Sequence, residues 1–152
     1  MSAMVLPPRF ASSDLSRHSA RVFDAAEERP VEVTRRDGED LVLMSKRESD
    51  ARDKLLEIAA TLIAVATDDR GTLAERMSDS YPWMLALSPA DRETCARELL
   101  SAARASFSTH QPYLALAEMT SWFETATAIA AGLGSQPVEW LDLTEPVERP
   151  GS

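Results

Sequence analysis

Two β-type runs on either side of an Asp-Gly pair constrain the fold of this chain more than any other feature. Val31-Glu32-Val33-Thr34 alternates apolar and polar residues, and Leu41-Val42-Leu43-Met44 is a continuous apolar run. Asp37-Gly38 lies between them, and Asp-Gly flanked by such runs is the strongest short-range signal for a β hairpin. The sequence therefore predicts one hairpin in the first third of the chain.

A short amphipathic helix is predicted before this hairpin. Ser12-Ser13-Asp14 supplies N-cap candidates and a first-turn acid, and apolar or small side chains then recur at helical spacing from Leu15 to Ala26. The helix must end before Pro30, because the residue that precedes a proline is disfavoured in the α region. We expect one helix of about four turns.

A longer helix is predicted after the hairpin. Ser45-Lys46-Arg47-Glu48 has the spacing of a capping box, in which the hydroxyl and the carboxylate each bind a free backbone N–H. An apolar stripe follows from Leu55 to Ala66, and Asp68-Asp69-Arg70-Gly71 stops it. This stripe needs a partner surface. A second copy of the small α+β unit would cover it and extend the sheet, so a homodimer is expected.

The rest of the chain reads as helical. Ser88-Pro89 places Ser at an N-cap and Pro at the first helical position, Pro112 opens a further helix, and Gly132 closes it. Residues 73–87 are predicted as a short helix and a turn. The fold class is therefore α+β, with three parts: an α+β domain over residues 1–70, a helical unit over residues 71–134, and an acidic, proline-containing tail over residues 135–152.

Composition excludes several classes of protein. A single cysteine, Cys95, rules out a disulfide framework and any multi-cysteine metal site. The apolar stretch at residues 58–66 is far shorter than the ~20 residues that a membrane span needs, and residues 1–10 contain no apolar signal core. We expect a cytoplasmic protein that does not contact membranes. The net charge of −9 means that any binding of nucleic acid must depend on a local cluster of cations.

No pattern in the sequence indicates catalysis. His18 and His110 lie in different parts of the chain without a nucleophile motif, and Cys95 falls inside a helical segment, where a buried, inert thiol is expected. Phosphate-loop, zinc-protease and paired-cysteine motifs do not occur. The sequence therefore predicts neither an enzyme, nor a cofactor, nor a metal site.

Cations and large apolar residues are the remaining candidates for function. Arg17 and Arg21 are four residues apart on one helix face, and further arginines lie before this helix and at the hairpin. In the tail, Trp140, Leu141 and Leu143 stand among prolines and acids. They either fold back near Trp122 and Phe123 or bind a partner protein.

The ordered set of elements from Arg9 to Met44 resembles the N-terminal domain of the Phd/YefM antitoxin family. The resemblance rests on Arg29-Pro30-Val31-Glu32-Val33-Thr34-Arg35, on Gly38, and on Val42-Leu43-Met44-Ser45, and it covers about residues 8–65. It implies a dimeric type II antitoxin that binds the operator DNA of its own operon and neutralises a cognate toxin. Toxins of this family include RelE-like and PIN-domain ribonucleases and Fic-type kinases.

The resemblance also implies roles for particular residues. Arg35 matches the arginine that follows the second strand, and Arg17 and His18 fall on the helix that contacts DNA in that family, whereas Leu15 replaces a frequent arginine. The expected DNA-binding residues are Arg9, Arg17, His18, Arg21, Arg35 and Arg36. The expected toxin-binding residues are Trp122, Phe123, Trp140, Leu141 and Leu143. A protein interaction module without DNA binding is the alternative, favoured by Leu15 and by the acidic charge balance.

Overall fold

The computed structural model describes residues 6–134, and its fold class is α+β, mostly helical with a small three-stranded sheet. Trp140, Leu141 and Leu143 lie outside the described residues. The strands are β1 (Arg9–Ala11), β2 (Val31–Thr34) and β3 (Leu41–Leu43). The helices are α1 (Asp14–Arg17), α2 (Ser19–Glu28), α3 (Lys46–Thr67), α4 (Leu73–Ser80), α5 (Pro89–Thr109) and α6 (Tyr113–Ala130), with a 3₁₀ helix at Pro82–Ala86 between α4 and α5.

The sheet has the order β1-β2-β3 and contains the predicted hairpin. Strands β2 and β3 pair antiparallel, with Val31 opposite Leu43 and Val33 opposite Leu41. Strand β1 pairs parallel to β2, with Arg9 opposite Glu32. The hairpin prediction is confirmed, whereas β1 was expected only as an extended lead and not as a strand.

The predicted first helix is two helices. His18 leaves the helical region with φ −139° and ψ 42°, so α1 is a single turn and α2 begins at Ser19. The expectation of one continuous helix of four turns is therefore wrong. At the start of α1, Asp14 Oδ2 accepts a hydrogen bond from the Ala11 N–H at 2.9 Å, which ties this turn to β1. The predicted end is confirmed, since α2 stops at Glu28 before Pro30.

Helix α2 covers one face of the sheet and forms a small core with it. Val22, Ala26 and Val31 are buried there, and Phe10 and Leu43 are among the partly buried side chains that pack against them. The other face carries Arg9 and Glu32, which form an ion pair at 3.2 Å. We call the cluster around Val22, Ala26 and Val31 the N-terminal core.

Helix α3 begins as the sequence predicts, although its capping differs. The Ser45 hydroxyl accepts a hydrogen bond from the Glu48 N–H at 3.1 Å. The Glu48 carboxylate does not return to Ser45, as a capping box requires. It accepts hydrogen bonds from Arg52 Nε at 2.8 Å and from the Tyr113 hydroxyl at 2.7 Å. The carboxylate of Glu48, which was predicted to cap α3, instead ties α3 to the start of α6.

A second and larger core joins α3 to the helices that follow it. Ile58, Leu62 and Val65 of α3 are buried with Met77 of α4 and Leu99 of α5 in one cluster. Ile58 and Leu62 of the predicted stripe are thus covered within the chain, whereas Ile63 is 64% exposed. These two residues need no second chain to cover them, because α4, α5 and α6 supply the partner surface. The homodimer stays a prediction. We call this cluster the helical core.

The predicted stop at residues 68–71 is a closed bend between α3 and α4. Arg76 holds it: its Nε donates to the Val65 carbonyl at 3.0 Å and its Nη1 to the Gly71 carbonyl at 2.8 Å. Thr72 and Glu75 form a complete capping box at the start of α4. The helical core therefore extends across the predicted boundary at residue 70, and the division into domains stays a prediction.

The starts of the last two helices agree with the sequence. Ser88 caps α5 by accepting from the Asp91 N–H, with Pro89 in the first turn, and α6 follows Pro112. Gly132 lies just after α6 with φ +81°, as its predicted closing role requires. Among residues 6–134, no helix is both long enough and apolar enough to span a membrane.

Candidate protein-binding groove

The structure opens a groove between α3, the 3₁₀ helix and α6. Its volume is about 670 Å³. The apolar part of its lining consists of Ile58, Tyr81, Trp83, Met119 and Phe123. The polar part consists of Lys54, Glu57, Thr61, Thr120 and Glu124. We call this site the aromatic groove.

Three rings form the apolar wall of the aromatic groove. The Trp83 ring lies 6.1 Å from the Tyr81 ring and 5.9 Å from the Phe123 ring, which it meets edge to face at 88°. Edge-to-face pairs are favoured because the positive edge of one ring meets the negative face of the other. Phe123 is nevertheless 49% exposed. The groove therefore exposes about half of the Phe123 ring to water beside the partly buried Tyr81 and Trp83.

Local sequence explains how these rings come together. Tyr81 ends α4, and Pro82 starts the 3₁₀ helix, so two aromatic residues flank one proline. Met84, fully buried in the helical core, fixes this turn against the helices. Phe123 comes from the middle of α6, four residues after Met119 and on the same helix face. The wall is thus assembled on packed elements and not on a loose loop.

Charged and hydroxyl groups surround the rings. Lys54 donates to Glu57 at 2.6 Å, and this hydrogen bond raises the pKa of Lys54. Burial raises the pKa of the Tyr81 hydroxyl, so Tyr81 is neutral at physiological pH. Glu124 adds a second carboxylate. The groove thus combines an apolar wall with a mixed and slightly acidic set of polar groups.

The two described residues of the predicted toxin-binding set point to different places. Phe123 lines the aromatic groove. Trp122 is partly buried, and its indole Nε1 lies within hydrogen-bond distance of Glu98 Oε2 (3.0 Å) and Glu118 Oε1 (3.1 Å). Trp122 therefore ties α6 to α5. Sequence reasoning did not assign Tyr81, Trp83 and Met119 to a site, although the Tyr81-Pro82-Trp83 motif was a signal for the first two.

The six predicted DNA-binding residues lie on the small α+β unit and are exposed. Arg9 is held by Glu32, and the Arg21 guanidinium lies 5.7 Å from the centre of the Phe10 ring. Arg35 and Arg36 directly follow β2. Strands β1 and β2 are parallel, so both end at the same edge of the sheet. Arg35 and Arg36 therefore lie at the edge where the chain leaves β1 and enters α1. Helix α1 carries Arg17 and is followed by His18.

The position of Arg35 depends on the hairpin loop. Its backbone N–H donates to Asp40 Oδ1 at 3.1 Å. A methyl group at Gly38 would lie 3.1 Å from the Arg35 guanidinium carbon, closer than ordinary contact, so glycine leaves the space that this side chain occupies. The structure thus places Arg17, His18, Arg35 and Arg36 at one end of the sheet and Arg9 at the start of β1. We call the three arginines at this end, Arg17, Arg35 and Arg36, the sheet-end cations.

No arrangement typical of a metal site is found in the described part of the chain: residues 6–134 contain no group of three His, Cys, Asp or Glu side chains that could hold a metal ion. Cys95 is fully buried, and burial raises its pKa to about 12. A thiol in this state is protonated and a poor nucleophile.

Comparison with known proteins corrects the family suggested by the sequence. The family described as YebG protein matches residues 31–101, a little under half of the chain, from β2 into α5. This family is distinct from Phd/YefM, which does not match, so the Phd/YefM resemblance is wrong. The motifs behind it describe a hairpin followed by a capped helix, which is local structure that unrelated families share. No curated protein and no solved structure matches the chain.

Proposed function

We propose that this protein is a non-enzymatic binding protein that recognises a partner protein through the aromatic groove. The observation that carries the proposal is the half-exposed Phe123 set edge to face against Trp83 in an open groove. Exposed apolar surface bordered by polar groups marks interaction sites, and aromatic anchors supply most of the binding energy at such sites.

The negative charge of the chain and of the groove favours a basic partner. Most of the net charge of −9 lies after residue 50, and Glu57 and Glu124 line the groove. Opposite charge across an interface speeds association and selects the partner. The proposed ligand is therefore an amphipathic helix with apolar residues on one face and lysine or arginine beside them. A toxin is the partner that the sequence suggested. Without the Phd/YefM resemblance, that identity and the cytoplasmic location stay predictions.

A defined peptide tests this proposal. We expect an 18-residue helical peptide of leucine and lysine to bind the full chain in isothermal titration calorimetry, and its leucine and glutamate counterpart to bind much more weakly. Phe123→Glu should lower the affinity for the leucine and lysine peptide at least tenfold, because it places a charge in the apolar wall. The matched control is Phe23→Glu, which changes a 51% exposed phenylalanine on α2. Equal affinity for the Phe123→Glu and Phe23→Glu variants would remove the groove as the binding site.

DNA binding by a homodimer is a second candidate function, and the sheet-end cations favour it. Three arginine side chains come to one end of the sheet. A two-fold axis would double this cluster, which suits a palindromic site despite the acidic net charge. The autorepressor role expected from the sequence would need this surface.

A gel shift with the DNA upstream of the gene tests the second candidate. We expect Arg35→Ala to weaken binding by roughly tenfold and to lower its salt dependence if Arg35 contacts a phosphate. Arg104→Ala, on α5, is the control and should leave DNA affinity unchanged. Unaltered affinity in an Arg17→Ala/Arg35→Ala double variant would contradict DNA binding by these cations.

A further inference from the structure

We propose that the aromatic groove is occupied, in the free protein, by the chain's own residues 138–143, which a partner must displace. This inference rests on the proposed function of the groove and adds its regulation. Residues 138–143 read Val-Glu-Trp-Leu-Asp-Leu and contain the only large apolar side chains between residue 134 and the proline at position 146. These apolar side chains are suited to pack against the apolar wall of the aromatic groove.

The last residue of α6 lies on the same helix face as Phe123. Ala130, its last residue, is seven positions after Phe123, which is two helical turns and therefore the same face. Thr127 lies between them on this face. Only small side chains thus separate the exit of the chain from the ring that lines the groove.

Two backbone hydrogen bonds close the end of α6. The Leu133 N–H donates to the Ala128 carbonyl at 3.0 Å and the Gly132 N–H to the Ile129 carbonyl at 2.9 Å, which is the Schellman closure of a helix. Gly132 and Gly134 have φ of +81° and +90°, which residues with a side chain rarely adopt. The two glycines permit the turn that a return along α6 requires.

The length of chain is sufficient for the return. Ala130, the last residue of α6, lies about 10 Å beyond Phe123 along the helix axis, at 1.5 Å per residue. Trp140 follows Gly134 by six residues, which span at most about 20 Å when extended. Trp140 and Leu141 therefore reach Phe123 and Trp83 from the end of the described chain.

Charge keeps this docking weak. Glu139 and Asp142 would approach a groove that already contains Glu57 and Glu124. Like charges oppose association, whereas a basic partner is attracted to the same groove. The apolar contact thus favours the segment, and the charges favour its replacement by a basic partner.

NMR of the tryptophan indole groups in the full chain tests this proposal. We expect Trp140→Ser/Leu141→Ser to shift the Trp83 indole signal, while the control Val147→Ser, in the same tail, leaves it in place. In the unsubstituted protein, we expect nuclear Overhauser contacts between the Trp83 ring and the side chains at 140 and 141. This second measurement needs no variant and so does not depend on how a variant folds.

The leucine and lysine peptide separates this proposal from the function on which it rests. We expect it to bind the Trp140→Ser/Leu141→Ser variant at least threefold more tightly than the unsubstituted chain, because the competitor is gone. A fixed Trp83 signal, absent contacts and equal affinities would overturn the docking and leave groove binding intact. Docking contacts without any peptide binding would support the docked segment and contradict the function.

Discussion

The N-terminal core and the helical core stabilise their parts of the chain to different degrees. The N-terminal core has three buried residues, Val22, Ala26 and Val31, whereas thirteen buried residues make up the helical core. Burial of apolar area is the main favourable term in folding. The helical part is therefore the stable body that carries the aromatic groove. The small α+β unit, which carries the sheet-end cations, has the lower local stability and gains most from a binding partner.

The largest expected effect is in the helical core. Met77→Ala removes a fully buried side chain, so we expect the free energy of unfolding to fall by about 2–5 kcal/mol in urea denaturation. The control is Leu85→Ala, which changes a side chain that is 60% exposed and should alter stability by no more than about 0.5 kcal/mol. A loss as small for Met77→Ala as for Leu85→Ala would mean that this core does not dominate stability.

A smaller and local effect is expected in the N-terminal core. Val31→Ala should lower the stability of the α+β unit by about 1.5–3 kcal/mol, and hydrogen exchange should show faster exchange in β2 and α2. Cys95 reports on the other core, because a thiol with a pKa raised to about 12 by burial reacts only after opening.

The labelling rate of the Cys95 thiol tests whether the two cores open independently. We expect the labelling rate of Cys95 by a thiol reagent to stay unchanged in Val31→Ala and to rise in Met77→Ala. If Val31→Ala accelerates labelling as much as Met77→Ala does, the two cores open as one unit.

The smallest expected effect concerns the contact between α3 and α6. Burial raises the pKa of Glu48, but hydrogen bonds from Arg52 and Tyr113 outweigh it and hold the pKa below its ordinary value. Its contribution to stability is therefore present above the ordinary pKa of 4.5 and is lost as the pH falls through the lower pKa of the folded protein. Tyr113→Phe removes one donor. We expect a loss of about 0.5 kcal/mol at pH 7, because Tyr113 is 41% exposed, and less below pH 4.

The carboxyl signal of Glu48 measures this contact directly. In an NMR titration, its midpoint should rise in Tyr113→Phe and stay in place in Tyr81→Phe, which removes a hydroxyl of the aromatic groove. A midpoint that does not move in Tyr113→Phe would show that Arg52 and Arg47, and not Tyr113, lower the pKa of Glu48.

Local signals predicted much of the fold, and contacts between distant residues account for what was missed. Ser45, Ser88 and the Asp37-Gly38 pair act on their own neighbours, so helix starts and the hairpin could be predicted. Strand β1 could not, because its three residues pair with a strand more than twenty residues away. The aromatic groove was only partly visible for the same reason: Phe123 was a candidate, but α4 and α6 had to pack before Tyr81 and Trp83 faced it.

The bend held by Arg76 has a consequence for a cleaved chain. A protease cut between Asp69 and Arg70 would break one peptide bond, yet Ile58, Leu62 and Val65 would still be packed among α4, α5 and α6. Arg76 would still bind the Val65 carbonyl across the cut. The two pieces would therefore remain together as a complex of fragments.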